Sequence, residues 1–291
     1  MAVTLDREIR VVKDVQGEVF YDKNLPNALR AAQKYAGNEG YVASMPQLLQ
    51  GRVKAPNDDG IWADWFTANS EENVGKTAQG KPVVIAVHGG GIFSSPERIE
   101  RAYLDKLVNY AGKLDDKEIK DLLAGKLPDG TQIPVYSFSQ FKKGISGLPR
   151  QYAVVMDFDE VGQTTSGHQN ADGLKDNPLT IVRAGGVEQA ATYIERAKEK
   201  HHTKNYGNWH PFGKTDPDQP QGRLLFLGSG GDFGLDGYLD GNGRFVGVAP
   251  EAHREKSLVA PTLEQVLAVT NKFTAEINRG DMQRAMTSLY K

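Results

Sequence analysis

Short aliphatic runs bounded by glycine, proline, asparagine or aspartate recur at 83–87, 153–156, 179–182 and 224–227. Runs this short between turn formers predict strands buried on both faces. Helical spacing takes over elsewhere. Ile99, Tyr103, Leu107 and Tyr110 fall on one helical face, with Arg98, Arg101, Asp105 and Lys106 on the wet side. Val187, Ala190, Ala191, Ile194 and Ala197 make a second stripe. Leu263, Val266, Thr270, Phe273 and Ile277 make a third, opened by Thr262 with Gln265 placed for a capping box. Strands interspersed with covering helices predict a mixed α/β fold, with one central sheet built from the four runs.

The N-terminal flank reads differently, as a smaller α+β portion over 1–75 ahead of a mixed α/β core over 76–291, unless the two run on as one continuous domain. Residues 8–13 and 17–21 pattern as two short strands joined by a tight turn near Gly17. A helix follows Pro26, with Ala28, Leu29, Ala32 and Tyr35 as its apolar face and Gly37 and Gly40 at its end. Trp62 and Trp65 fall within the four-residue segment 62–65 and suit core anchors better than a ligand platform, because burial is the main use of so large an apolar side chain. Residues 204–222 are dense in proline, glycine, asparagine and aspartate without periodicity, which predicts a long loop. The Gly241-Asn242-Gly243 segment predicts a hairpin turn ahead of Arg244.

Composition narrows the classes. The 291 residues suffice for one large core or two smaller ones, and 39% hydrophobic with 25% charged residues is ordinary for a soluble globular chain. A balance of 35 basic against 37 acidic residues gives no broad attraction to nucleic acid or to an anionic membrane. Without cysteine, disulfides, thiolate nucleophiles and cysteine-ligated zinc are excluded. The charged opening lacks the apolar core of a signal peptide, and no aliphatic run approaches transmembrane length, so a cytoplasmic location is expected.

Candidate chemistry begins where the 83–87 run enters His88, Gly89, Gly90 and Gly91 and then Ser94 and Ser95. Either Ser94 and Glu97 form a capping box, or Ser95 caps a helix whose first residue is Pro96. Both alignments start a helix within a turn of the glycines, where free amides favour an anionic small molecule; the same glycines also serve as a plain strand-to-helix turn. Dinucleotide and P-loop fingerprints fail, at Ser94 and Ser70 respectively, where each needs glycine.

The His88 to Gly91 segment resembles the oxyanion-hole turn of lipases and esterases among the α/β hydrolases. That resemblance spans four residues and implies a GxSxG nucleophile elbow, which the chain lacks. Ser229, Asp240 and His253 follow the family's order of serine, acid and base, but only 24 residues separate the first from the last.

Asp157 and Asp159 share one face of an extended strand end and would suit a divalent cation such as Mg²⁺, or simply solvent. An EF-hand alignment starting at Asp240 is rejected by Arg244 and Phe245, which stand where an oxygen ligand and glycine belong. Asp232, Asp236 and Asp240 remain as turn residues, and the six histidines fall into no zinc spacing. Near the C-terminus, Met282, Ala285, Met286 and Leu289 form one apolar face that must pack on its own domain or on a second copy in a homo-oligomer. The residues therefore point to a binding protein or enzyme acting on an anionic small molecule at the glycine turn. A self-assembling structural protein is the alternative, and a serine hydrolase a more distant one.

Overall fold

The computed structural model describes residues 4–12, 15–57, 59–230, 232, 239 and 241–250. The described chain opens with strands β1 (Thr4–Val12) and β2 (Val15–Asp22), helix α1 (Leu25–Ala36), the short β3 (Tyr41–Val42) and helices α2 (Met45–Lys54) and α3 (Gly60–Ala63). The long strands β4 (Phe66–Lys76) and β5 (Pro82–His88) lead through a 3₁₀ turn at Ile92–Ser94 into α4 (Pro96–Leu104). Next come β6 (Gly112–Lys113), α5 (Asp116–Leu123), β7 (Val135–Ser137), α6 (Phe138–Phe141), β8 (Tyr152–Asp157) and α7 (Phe158–Gly162). The last third holds β9 (Gly167–Asn170), α8 (Ala171–Leu174), α9 (Pro178–Ala184), α10 (Val187–His201), β10 (Asn205–Asn208), β11 (Gln221–Leu227) and β12 (Gly243–Val248).

A six-stranded sheet, ordered β6-β11-β4-β5-β8-β7, forms the centre; its pairs are antiparallel except β7 with β8. Alternation along β5 explains why its run is aliphatic throughout. Val84 and Ala86 face one core, with Trp62, Leu179, Ile181 and Ile194, while Val83, Ile85 and Val87 face the other, with Leu29, Ile99, Ile119 and Leu122. Helices thus cover both faces of β5, so neither of its faces meets solvent and neither calls for polar residues. A second sheet, β1-β2-β12-β3, is antiparallel and joins the N-terminal strands to residues 243–248, and β9 pairs with β10 alone. Residues 1–249 make one compact unit and 250–291 a second, of which only Pro250 is described.

The mixed α/β class holds, and the runs at 83, 153 and 224 do share the central sheet as β5, β8 and β11. The run at 179–182 does not: it is helix α9. Asn177 Oδ1 accepts from the amides of Leu179 (3.0 Å) and Thr180 (3.2 Å), Pro178 takes the first turn, and Gly185 ends the helix at φ 90°. A helix buried all round shows no periodicity, so its caps rather than its apolar run carry the signal. Asn177 Oδ1 also accepts from Asn208 Nδ2 at 3.0 Å, so Asn177→Ala should cost about 2 kcal/mol in urea unfolding, at the upper end for a lost cap.

Other elements shift by a few residues. Helix α4 stops at Leu104, and Lys106, Asn109 and Tyr110 take positive φ angles in the turn beyond it. Gly17 lies inside β2 opposite Ile9, a paired strand position rather than the turn. The expected loop over 204–222 contains β10 and a 3₁₀ turn at Phe212–Lys214. Trp62 is fully buried and stacks on Tyr193 at 5.9 Å, as a core anchor does. The helix stripe at 263–277 and the Met282 face lie outside the described residues. Among those described, no helix is long and apolar enough to cross a membrane.

Candidate functional site

Every residue of β4 from Phe66 to Gly75 is buried, yet the strand carries Asn69, Ser70, Glu71, Glu72 and Asn73 in succession. Most buried polar groups in proteins are paired, and the partners of these residues define the site's framework. Ser70 Oγ meets His88 Nδ1 at 2.9 Å and accepts from the Met45 amide at 2.9 Å. Burial, with a smaller push from the Arg183 charge, holds His88 neutral, its pKa pushed down to about 3 against a modest upward pull from the Val182 backbone.

The glycine turn holds a carboxyl group that belongs to the chain itself. Glu71 Oε1 accepts from the Ile92 amide at 2.8 Å, Glu71 Oε2 from the Phe93 amide at 2.7 Å, and Asn73 Nδ2 donates to Oε1 at 2.8 Å. A side chain at Gly91 would run into that carboxylate, and φ of 137° disfavours one in any case. At φ 73°, Gly89 lets the turn approach the Arg150 carbonyl, while Gln151 Nε2 donates to the Gly89 carbonyl at 3.0 Å. Gly90 is covered by Leu127 and Gln151. Downstream, Ser95 rather than Ser94 caps α4, accepting from the Arg98 amide at 3.2 Å with Pro96 at the first position. Ser94 Oγ donates instead to Asn69 Oδ1 at 2.6 Å.

Asp157 is the N-cap of α7. Its Oδ1 accepts from the amides of Asp159 and Glu160 at 3.0 and 3.1 Å, and its Oδ2 faces Lys81 Nζ at 2.8 Å. The Lys81 hydrogen bond leads in holding its carboxyl below the ordinary range. Asp159 is exposed in the first turn of α7. Among the described residues no three histidines or carboxylates gather as for a metal ion. Ser229 is exposed in a turn, and Asp240 and His253 lie outside the described residues.

Behind the glycine turn lies a feature that sequence reading missed. A groove of about 620 Å³ runs between α2, the 148–152 segment and the start of α10. Tyr41, Gln50, Arg150, Tyr152, Glu188 and Thr192 are among its lining residues. None of the sequence candidates lines it, but two of them, His88 and Gly89, stand behind residues that do. His88 pairs across the sheet with Tyr152, ring centroids 5.0 Å apart, and Gly89 abuts the backbone of Arg150. Arg150 lies exposed with its guanidinium 4.7 Å over the Tyr41 ring. Its one legible cue was the glycine pair 185–186, which sets the α10 N-terminus at the groove edge. A second groove, about 630 Å³, is lined by Tyr110, Thr164, Ser166, Trp209, His210 and Lys214. There His210 Nε2 meets Thr164 Oγ1 at 3.0 Å, and burial lowers its pKa.

No protein-family model and no curated protein matches the chain. A solved structure described as "Accommodation of massive sequence variation in Nanoarchaeota by the C-type lectin fold" is similar to it, with 30% sequence identity and a TM-score of 0.64. The similarity covers 81% of this chain and 99% of that one. With so much of the nanoarchaeal protein matched at that identity, the chain belongs to the family of C-type lectin-fold proteins.

Proposed function

We propose that this is a binding protein whose ligand lies in the 620 Å³ groove between α2, residues 148–152 and α10. One observation carries the reading. The side chains of Gln50, Arg150 and Thr192 line the groove, yet make no hydrogen bond or ion pair with any described residue, whereas Ser70, Glu71 and His88 on the strands behind them are paired. Side chains that contribute nothing to the framework are free to serve a partner. The nanoarchaeal relative's fold accommodates massive sequence variation. A scaffold of that kind needs its stability in buried pairings such as those of β4, leaving groove residues exchangeable.

The glycine turn supports a framework role in this reading, because Glu71 already occupies its amides. An anionic ligand therefore belongs to the groove rather than to that turn. The C-type lectin fold also argues against a serine hydrolase of the α/β-hydrolase kind.

Thr192→Trp, on the exposed wall, should fill the groove and leave stability within about 0.5 kcal/mol of the parent. Saturation-transfer NMR of the full chain against a mixed library of sugars, peptides and organic acids should find ligands whose signal disappears in that variant. Ligands that bind both proteins alike, or none that bind either, would overturn the groove assignment.

A further inference from the structure

We infer that the groove seats an oxyanion, a carboxylate or a phosphate on an organic body, between Arg150 and the N-terminus of α10; this rests on the groove reading above. Three independent features converge there. The first is the helix itself. Fifteen residues long, α10 starts at Gly186 with no side chain capping it, and its first turn reaches the groove through Glu188 and Gln189. The leading amides of a helix have no intrahelical acceptor, and the summed peptide dipole makes that end attractive to an anion.

Tyr152 supplies the second feature. It is 2% exposed and lines the groove floor, and its Oη is buried without a hydrogen-bond partner among the described residues. A Cβ placed on Gly185, beside the start of α10, would lie 3.5 Å from that oxygen. A buried hydroxyl left unpaired is costly, and one facing a ligand site is explained once a ligand accepts from it.

Arg150 is the third. Its guanidinium lies 4.7 Å over the Tyr41 ring, and its N–H groups have no described hydrogen-bond partner. That planar fork matches the two oxygens of a carboxylate or phosphate. Lys54 adds a second cation to the lining and Glu188 one carboxylate, so the groove is net positive. Leu49, Val53 and Leu148 offer an apolar wall, which suits an anion carried on a hydrophobic body.

The test is a titration of the full-length protein with inorganic phosphate, phenyl phosphate and benzoate, followed by amide NMR. The amides of Val187, Glu188 and Gln189 should shift, and the aromatic anions should bind more tightly than phosphate alone; phenyl phosphate against benzoate then tells phosphate from carboxylate preference. Arg150→Met should weaken binding about tenfold or more, with Arg150→Lys recovering only part of the loss. Tyr152→Phe should weaken it by roughly threefold to tenfold while the urea midpoint stays level or rises, because the hydroxyl has no internal partner to lose. A purely structural tyrosine would leave the affinity untouched. Glu188→Gln should tighten binding by about twofold to threefold through removal of a like charge.

Shifts absent from the α10 amides, or equal in the parent and Arg150→Met, would overturn the oxyanion assignment. If neutral library compounds nevertheless bind in a manner abolished by Thr192→Trp, the groove reading survives that failure. If nothing binds there, both fall.

Discussion

Arg183→Met is expected to cost about 3–5 kcal/mol of folding stability, the range for breaking a buried ion pair by removing one partner. The Arg183 and Glu72 side chains are 1% and 5% exposed, and their contact is bidentate, Nε to Oε1 and Nη2 to Oε2, both at 2.8 Å. Arg183 Nη1 also donates to Asn208 Oδ1 at 2.7 Å, and Asn208 passes the network on to Asn177. Removing the guanidinium leaves a carboxylate in the core with no counter-ion and frees two asparagines to shift. Pairing Arg183→Met with Glu72→Met should recover most of the loss, because the desolvation cost of the two charges then disappears with them. Urea unfolding of the two single variants and the double variant measures the coupling. A loss below about 1 kcal/mol in the Arg183 variant would mean that the pair is not the clamp its geometry implies. The consequence reaches the groove. Arg183 sits on α9, two residues before Gly185, so loosening it should also displace the α10 N-terminus and weaken ligands held there.

The elements most legible in the sequence were those whose local signals agree. Helix α1 has an asparagine cap whose Oδ1 accepts from the Asn27 amide, a proline in its first turn and Gly37 at its end; α10 has an amphipathic stripe; β5 and β8 are aliphatic runs between turn formers. In α9 two signals disagreed. The apolar run said strand, whereas Asn177-Pro178 and the Gly185-Gly186 pair said helix, and the caps decided it. Strand β4 was illegible for the opposite reason. Its Asn69-Ser-Glu-Glu-Asn73 stretch reads as solvated surface, because nothing local announces that Arg183, His88 and two amides of the 3₁₀ turn will meet it.

The glycine turn was found by its composition, and its occupant was missed because Glu71 is 21 residues away from Ile92 in the chain. The groove suffered most. Its lining joins α2, the 148–152 segment and α10, separated by many tens of residues, and Arg150 carries no motif. Residues His88 and Gly89 were singled out, and they turn out to lie one layer behind the side chains that face the groove.

Glu71→Gln is expected to abolish a pH-dependent component of stability. Burial pushes the Glu71 carboxyl up to about 7 from an ordinary 4.5, although the Phe93 and Ile92 amides and Asn73 all pull it down. Below about pH 4.5 both folded and unfolded chains are protonated at this residue and it contributes no slope. Between 4.5 and 7 the folded state holds a proton that the unfolded state has released, so stability falls as pH rises, by roughly 3 kcal/mol in all, and levels off above 7. His88 acts in the opposite sense. Its folded pKa of about 3 lies below the ordinary 6.5, so it adds stability above 6.5 that is lost as pH falls toward 3. The two slopes overlap, and a single pH titration of the parent would show only their sum.

Subtracting the Glu71→Gln curve from the parent curve isolates the carboxylate, since His88 is common to both. Urea unfolding at about pH 5 and about pH 8 should give a parent-minus-variant stability difference that shrinks with rising pH. The amide of the variant can accept from one turn amide through its oxygen but presents donors to the other, so Glu71→Gln should also be the less stable protein near pH 5, by about 1–3 kcal/mol for the buried N–H left unpaired. A difference that stays level between the two pH values would show that the three donors outweigh burial and that Glu71 is ionised throughout. The glycine turn would then be clamped by a permanent charge.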